Sequence, residues 1–147
     1  MHLFKKPISP SLIFFIMGVV CVLLVVFVVP LFDNYNFGAP QFFALPGTVS
    51  IALFSGPIFS KRLSKRLNAP PVPLRQNFFD GIWIWGFLYF VGNVFAVIYT
   101  IFFLNMNGGG AMYPTLFLVW GFLGLPLALA LGGLTGWLSH KVIVSGA

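Results

Sequence analysis

The chain has 147 residues, of which 59% are hydrophobic and 7% are charged, and its mean hydropathy is +1.00. This composition excludes a water-soluble globule, because too few polar residues are available to cover the apolar ones, and it indicates an integral membrane protein. The formal net charge of +6 rests on eight lysine and arginine residues, and the single cysteine excludes an internal disulfide.

Four apolar stretches are long enough to cross a bilayer, whose hydrocarbon core of about 30 Å needs roughly 20 helical residues. They cover approximately residues 11–32, 42–60, 78–104 and 113–138. We therefore predict an all-α fold, a single transmembrane domain over residues 1–147 built as a four-helix bundle of two hairpins. The first stretch follows Lys5 and Lys6 as a signal peptide would, but it is long and lacks a small-residue cleavage site, so we expect a retained helix.

The basic residues lie outside these stretches, and most of them belong to one loop. Residues 61–77 form this basic loop, Lys5 and Lys6 precede the first stretch, and Lys141 follows the last. Because positively charged segments resist translocation, four crossings place all the basic residues on one side, with both termini cytoplasmic. This charge bias is typical of a bacterial inner (cytoplasmic) membrane.

The segment SKRLSKRL, at residues 60–67, concentrates four positive charges where the second helix ends. We expect it to contact lipid headgroups at the membrane surface, with docking of a partner protein as the alternative. The residues concerned are Lys61, Arg62, Lys65 and Arg66. Nucleic acid is not an expected partner, since the loop has no aromatic side chains on which bases would stack.

The third stretch opens with the motif NFFD. Asn77 is predicted to cap the helix, and Asp80 to lie in its first turn, where the helix dipole and nearby Arg75 favour a carboxylate. The functional alternative for Asp80 is a proton or cation site at the cytoplasmic mouth of the bundle.

Small residues recur at i+4 spacing in three of the four helices. They are Thr48, Ala52, Gly56 and Ser60 in the second helix, Gly92, Ala96 and Thr100 in the third, and Gly124, Ala128, Gly132 and Gly136 in the fourth. Such stripes allow close backbone approach, so they predict a helix-packing interface. The stripes of the second and fourth helices are expected to face each other or another copy of the chain.

The second and fourth helices also resemble one another in sequence. Each contains a Leu-Pro pair, Leu45-Pro46 in the second helix and Leu125-Pro126 in the fourth. At a similar distance after this pair, each helix has a serine that is followed by basic or titratable residues. A duplicated hairpin, related by an axis along the membrane normal, is one explanation. Chance similarity between two apolar helices is the other.

The third helix is rich in aromatic residues, with 11 between Phe78 and Leu104. Packing against glycine-lined neighbours is the expected reason, because bulky residues opposite small ones let helices interdigitate. Stacking on a pigment, a quinone or a haem edge is the alternative.

Apart from one cysteine and the tyrosines, Asp80 is the only ionisable side chain in the four stretches. Proton relays and ion-coupled pumps need such groups, and no metal ligands or nucleophile–base pair come together in the sequence, so we expect neither an enzyme nor a cofactor. Asn93 is the one strongly polar side chain near a helix centre. We expect its amide to bond another helix or a partner subunit, or alternatively a substrate.

These observations favour a small multi-pass protein that acts by helix–helix interaction, as an accessory or scaffolding subunit of a larger membrane complex. The alternative is a small homo-oligomeric transporter or channel for a neutral or apolar solute, with Asn93, Thr100, Ser55 and Ser60 along its pathway. The expected partners are therefore membrane lipid and other membrane protein subunits, or further copies of the chain.

Overall fold

The structure is a computed structural model that describes residues 9–28, 40–64, 73–104 and 112–145, and these residues form four helices. Helix α1 spans Pro10–Leu23 and continues as a π-helical turn over Leu24–Val28. Helix α2 spans Pro40–Ser64, and α3 spans Leu74–Tyr99 with a second π-helical turn over Thr100–Leu104. Helix α4 spans Met112–Ser145. The predicted all-α class is confirmed.

Three of these helices are long and apolar enough to cross a membrane. The spans are Pro10–Phe27, Leu74–Phe102 and Phe117–Val142. Helix α2, the remaining predicted crossing, is not among them. It carries Pro46 and Pro57, and its hydroxyl residues and its two basic residues near the end make it less apolar than the others.

The second and third helices extend further into the predicted basic loop than expected. Helix α2 continues to Ser64, and α3 begins at Leu74 with Pro73 in the N-cap position, where its extended backbone and its missing N–H fit. Asn77 therefore lies inside α3, and its predicted role as the cap is wrong. Asp80 also lies beyond the first turn. Lys65 and Arg66 fall outside the described residues.

Successive helices run antiparallel. Gly18 of α1 lies against Ala52 of α2, and the earlier residue Ser11 lies against the later residue Gly56. Gly132 of α4 lies against the carbonyl oxygen of Gly81. The most extensive packing joins α3 to α4, and α1 also touches α4, which closes the bundle.

The core lies between the helices and is built mainly from large apolar side chains. Phe14 of α1 stacks on Phe59 of α2, with 4.3 Å between ring centroids. Trp85 of α3 is fully buried together with Ile51 of α2. These contacts join α1, α2 and α3, and Ala128 extends the same cluster onto α4.

One end of the bundle collects the charge. The antiparallel arrangement brings the end of α2, the start of α3 and the end of α4 together. The lysine and arginine residues that the structure describes all lie there: Lys61, Arg62, Arg75 and Lys141. We call this the basic end.

Candidate functional site

The small residues of α2 face α1, rather than α4 or another copy as the sequence had led us to expect. A Cβ atom added to Gly18 would lie 2.6 Å from the Cα of Ala52, and one added to Gly56 would lie 2.7 Å from the carbonyl oxygen of Ser11. Real Cβ atoms do not approach so closely, so the two backbones are in direct contact. Sequential antiparallel packing explains this, since α1 is the neighbour that precedes α2.

The small residues of α4 face α3 in the same way. A Cβ atom on Gly132 would lie 2.5 Å from the Gly81 carbonyl oxygen and 2.7 Å from the Cβ of Trp85, and Gly136 lies against the backbone of Asn77. Gly132 and Ala52 follow their Leu-Pro pairs at the same distance along the chain. Each hairpin thus uses an equivalent position to bring its two helices together.

The other stripe residues are placed as follows. Gly124 lies against the ring of Tyr89, Gly92 lies against α2, and Thr48, Ala96, Thr100 and Ala128 are buried, while Ser60 is half-buried. The stripes therefore lie largely inside the chain's own bundle, and little of their surface is left for another molecule.

Two polar contacts join helices at the basic end. Arg62 of α2 donates to Asp80 of α3, with 3.1 Å between Nη1 and Oδ1. The Asn77 amide of α3 donates to His140 of α4, with 3.1 Å between Nδ2 and Nδ1. Sequence reasoning expected Arg75 near Asp80 and gave His140 no role. The guanidinium of Arg75 lies over the ring of Phe79, 5.7 Å from its centroid.

Asn93 lies in the middle of the bundle and is nearly fully buried. Its Nδ2 donates to the backbone oxygen of Tyr89, one turn earlier in α3, at 2.8 Å, so this bond does not join two helices as predicted. Its Oδ1 has no hydrogen-bond partner among the described residues. The side chain lines a small pocket of about 20 Å³ beside Gly121, with Phe90 and Phe122 at its outer edge.

Most hydroxyl groups inside the bundle bond the backbone of their own helix. Thr48, Ser50, Thr100, Thr135 and Ser139 each donate to a carbonyl oxygen three or four residues earlier. The proton of each of these hydroxyls is therefore engaged within its own helix, and each oxygen keeps its capacity to accept a hydrogen bond. Ser55 Oγ and Trp85 Nε1 are also buried, without a partner in the part of the chain that the structure describes.

A larger cavity, of about 210 Å³, lies among all four helices. Cys21 of α1, Thr48 and Ile51 of α2, Tyr89 of α3 and Ala128 of α4 line its inner part. Along α4 the wall continues to leucines that are exposed on the surface of the bundle. The lining contains no charged side chain.

The outer face of α3 is aromatic along its length. Phe79, Trp83, Phe87, Phe95 and Tyr99 are all exposed, and together with Val91 they follow i+4 spacing. We call these five residues the aromatic ridge. The predicted packing of aromatic bulk against glycine-lined neighbours holds for Trp85 and Tyr89, but the ridge points away from the other helices.

The described residues contain no cluster of three or more His, Cys, Asp or Glu side chains that would hold a metal ion. The sequence carried a signal for the aromatic ridge in its i+4 spacing, which makes successive members neighbours on the helix surface. No sequence signal marked the cavity, because it arises where four helices fail to fill the space between them. No protein family, curated protein sequence or solved structure matches this chain.

Proposed function

We propose that the protein is an accessory or scaffolding subunit of a larger membrane protein complex, and that the aromatic ridge of α3 is its contact surface. The observation that carries the proposal is the ridge itself, a row of five exposed aromatic side chains at i+4 spacing that winds along the surface of α3 and is interrupted by Val91. Aromatic residues bury large, rigid surfaces and are enriched where binding energy concentrates in protein interfaces.

The other outer faces differ from the ridge in composition. On α1 and α4 the exposed apolar residues are mostly aliphatic, among them Leu12, Ile16, Val20, Leu123, Leu127 and Leu134. Aliphatic surface suits lipid tails, whereas association of helices inside a bilayer depends on specific van der Waals packing. The small-residue stripes are already used within the bundle, which leaves the ridge as the surface available to a partner.

The proposal includes a membrane placement in which α2 also crosses and the basic end is cytoplasmic. The grouping of Lys61, Arg62, Arg75 and Lys141 at one end supports it through the preference of basic segments for the cytoplasmic side. A bacterial inner membrane is the proposed location. At this surface Lys61 and Arg62 would meet anionic headgroups.

A homo-oligomeric transporter or channel for a neutral or apolar solute is the second candidate. The unpaired Oδ1 of Asn93 favours it, because a buried acceptor without a partner is costly and a solute would satisfy it. The hydroxyl groups along the interior count against it, since they already bond their own helices.

The two candidates are separated by photocrosslinking in the native membrane followed by native mass spectrometry of the gently extracted protein. A benzoyl-phenylalanine is incorporated in place of Phe95 or, as the matched control, in place of Phe122. These two side chains are 70% and 68% exposed, but only Phe95 belongs to the aromatic ridge.

We expect a single protein adduct from position 95, lipid adducts from position 122, and a hetero-complex of the same composition in the mass spectrum. The variant Phe95→Ala should lower the recovery of that complex, and Phe122→Ala should not. Lipid adducts alone at both positions, with only a homo-oligomer in the spectrum, would contradict the subunit proposal and favour the transporter.

A further inference from the structure

The cavity of about 210 Å³ among the four helices has no role in the proposed partner contact. Its inner wall is formed by residues that are almost completely buried, such as Ile51 and Tyr89. Its outer wall includes Leu123 and Leu127, each 62% exposed. The space therefore extends from the centre of the bundle to the surface of α4.

The mouth of the cavity lies between α4 and the π-helical turn that follows α1. Val25 in that turn and Leu127 of α4 both belong to the lining. Both helices are long and apolar enough to span a membrane, so in the proposed placement the mouth opens sideways into lipid rather than toward water.

The lining is unsuited to water. A buried water needs two to four polar partners, and apolar cavities without them stay dry. Two lining residues carry a hydroxyl. Thr48 donates to the backbone oxygens of Ala44 and Leu45 at 3.2 Å and 3.0 Å, and the hydroxyl of Tyr89 lies against Gly124. The rest of the wall is mostly hydrocarbon.

The volume is large enough for part of an aliphatic chain. An apolar cavity of about 150 Å³ in another protein holds benzene, so by proportion about 210 Å³ holds roughly eight carbons. Acyl chains are the hydrocarbon that surrounds a membrane protein on all sides. A phospholipid beside the mouth would insert the end of one chain while its headgroup stays at the membrane surface.

We propose that this cavity binds one acyl chain of a membrane phospholipid, which enters between α1 and α4 and completes the packing of the bundle. The site rests on the proposed placement in a bilayer, but it does not depend on the aromatic ridge or on any protein partner. Failure of the photocrosslinking at Phe95 therefore leaves this site untouched.

The test uses the full chain in vesicles of phosphatidylethanolamine and phosphatidylglycerol, with a trace of phospholipid carrying a diazirine near the end of one acyl chain. Light converts the diazirine into a carbene that inserts into neighbouring bonds, and peptide mass spectrometry locates the adducts. Leu53, which is 56% exposed on α2, reports contact with bulk lipid. Cys21, which is 8% exposed on α1 and lines the cavity, reports contact inside it.

We expect adducts at both Leu53 and Cys21. Phe59 is the control for nonspecific labelling, because it is 1% exposed and does not line the cavity. An adduct yield at Cys21 no greater than that at Phe59 would overturn the proposal.

Two variants that narrow the cavity give a second measurement. Ala44→Leu and Ala128→Leu add side-chain volume at the cavity wall from α2 and α4. Ala130→Leu adds the same volume on the exposed side of α4 and is the matched control. We expect loss of the Cys21 adduct in either narrowing variant that remains folded, and an unchanged adduct in Ala130→Leu. Persistence of the Cys21 adduct in both narrowing variants would refute the site.

Discussion

Arg62 and Asp80 form an ion pair that joins α2 to α3 at the basic end, with 3.1 Å between Nη1 and Oδ1. The two side chains differ in their access to water, since Arg62 is 48% exposed and Asp80 is 10% exposed. The carboxylate therefore depends on its surroundings more than the guanidinium does. Asp80 is the one acidic residue within 73–104, and its carboxylate contacts an arginine of the neighbouring helix.

Removing the arginine should consequently cost more than removing the aspartate. Arg62→Gln removes the cation that bonds Oδ1 of a largely buried carboxylate, and we expect a loss of about 1–2 kcal/mol in the free energy of unfolding. Asp80→Asn leaves a cation that water reaches, and we expect a smaller loss. Thermal unfolding in detergent micelles, followed by circular dichroism, measures both effects.

Arg75→Gln is the matched control for this pair, because Arg75 lies at the same end and contacts the ring of Phe79. We expect little change in its unfolding temperature. If Arg75→Gln lowers the temperature as much as Arg62→Gln does, the effect is one of general charge and not of the ion pair.

Gly132 should be intolerant of any side chain. Leucine at this position would overlap the Gly81 carbonyl and the Cβ of Trp85, and overpacking of this kind costs about 1–3 kcal/mol or more. We therefore expect Gly132→Leu to destabilise the isolated chain, and Gly56→Leu to do the same through its contact with Ser11. The unfolding temperature of purified protein checks this, with Ala130→Leu as the control.

This expectation differs from the one that the sequence alone supports. A stripe of small residues predicts close packing but does not name the helix on the other side, so assembly with another molecule was an equally good interpretation. If both glycine variants unfold at the wild-type temperature but change the oligomeric state, the stripes contact another molecule after all.

The antiparallel pairing of successive helices explains which helix contacts could be predicted from the sequence. Tyr89 and Gly124 lie at nearly equal distances from the loop between α3 and α4, and so do Gly81 and Gly132. Hairpin register alone would bring these pairs together once the loop is located. The helix ends were harder to predict from the sequence. Pro73 sets the start of α3 through its backbone geometry, whereas the polar side chain of Asn77 suggested a later start.

The aromatic ridge and the cavity could be predicted from the sequence to different degrees. The spacing of Phe79, Trp83 and Phe87 placed them on one face, but only the packing decides whether that face is buried. The cavity depends on the gap between α1 and α4, two helices distant in sequence. No local pattern in Cys21 or Leu127 encodes that distance.

His140 should stabilise the basic end through Asn77. Asn77 is almost fully buried, so His140→Leu leaves its amide without the imidazole partner and should cost about 1–2 kcal/mol. His140→Gln keeps a hydrogen-bonding group at the same position and should recover part of the loss. Equal unfolding temperatures for the leucine and glutamine variants would show that the hydrogen bond contributes nothing and that only the size of the side chain matters.

Asn93 gives the prediction that best separates a structural role from a binding role. Leucine has the same branching pattern, and Asn93→Leu removes an Oδ1 atom that has no partner among the described residues. Replacing a buried, half-satisfied polar group by an apolar one of similar shape is close to neutral or stabilising. We therefore expect the unfolding temperature of the isolated protein to stay the same or to rise.

The same variant should leave the native assembly intact, because the proposed partner contacts the aromatic ridge, whereas lipid covers Phe122 at the edge of the Asn93 pocket. Native mass spectrometry of Asn93→Leu, compared with wild type, measures this directly. Stability retained with assembly lost assigns the amide to a partner, and stability retained with assembly intact assigns it to neither role. A clear fall in the unfolding temperature would mean that the amide oxygen accepts a hydrogen bond within the chain, and the expectation for stability would then be wrong.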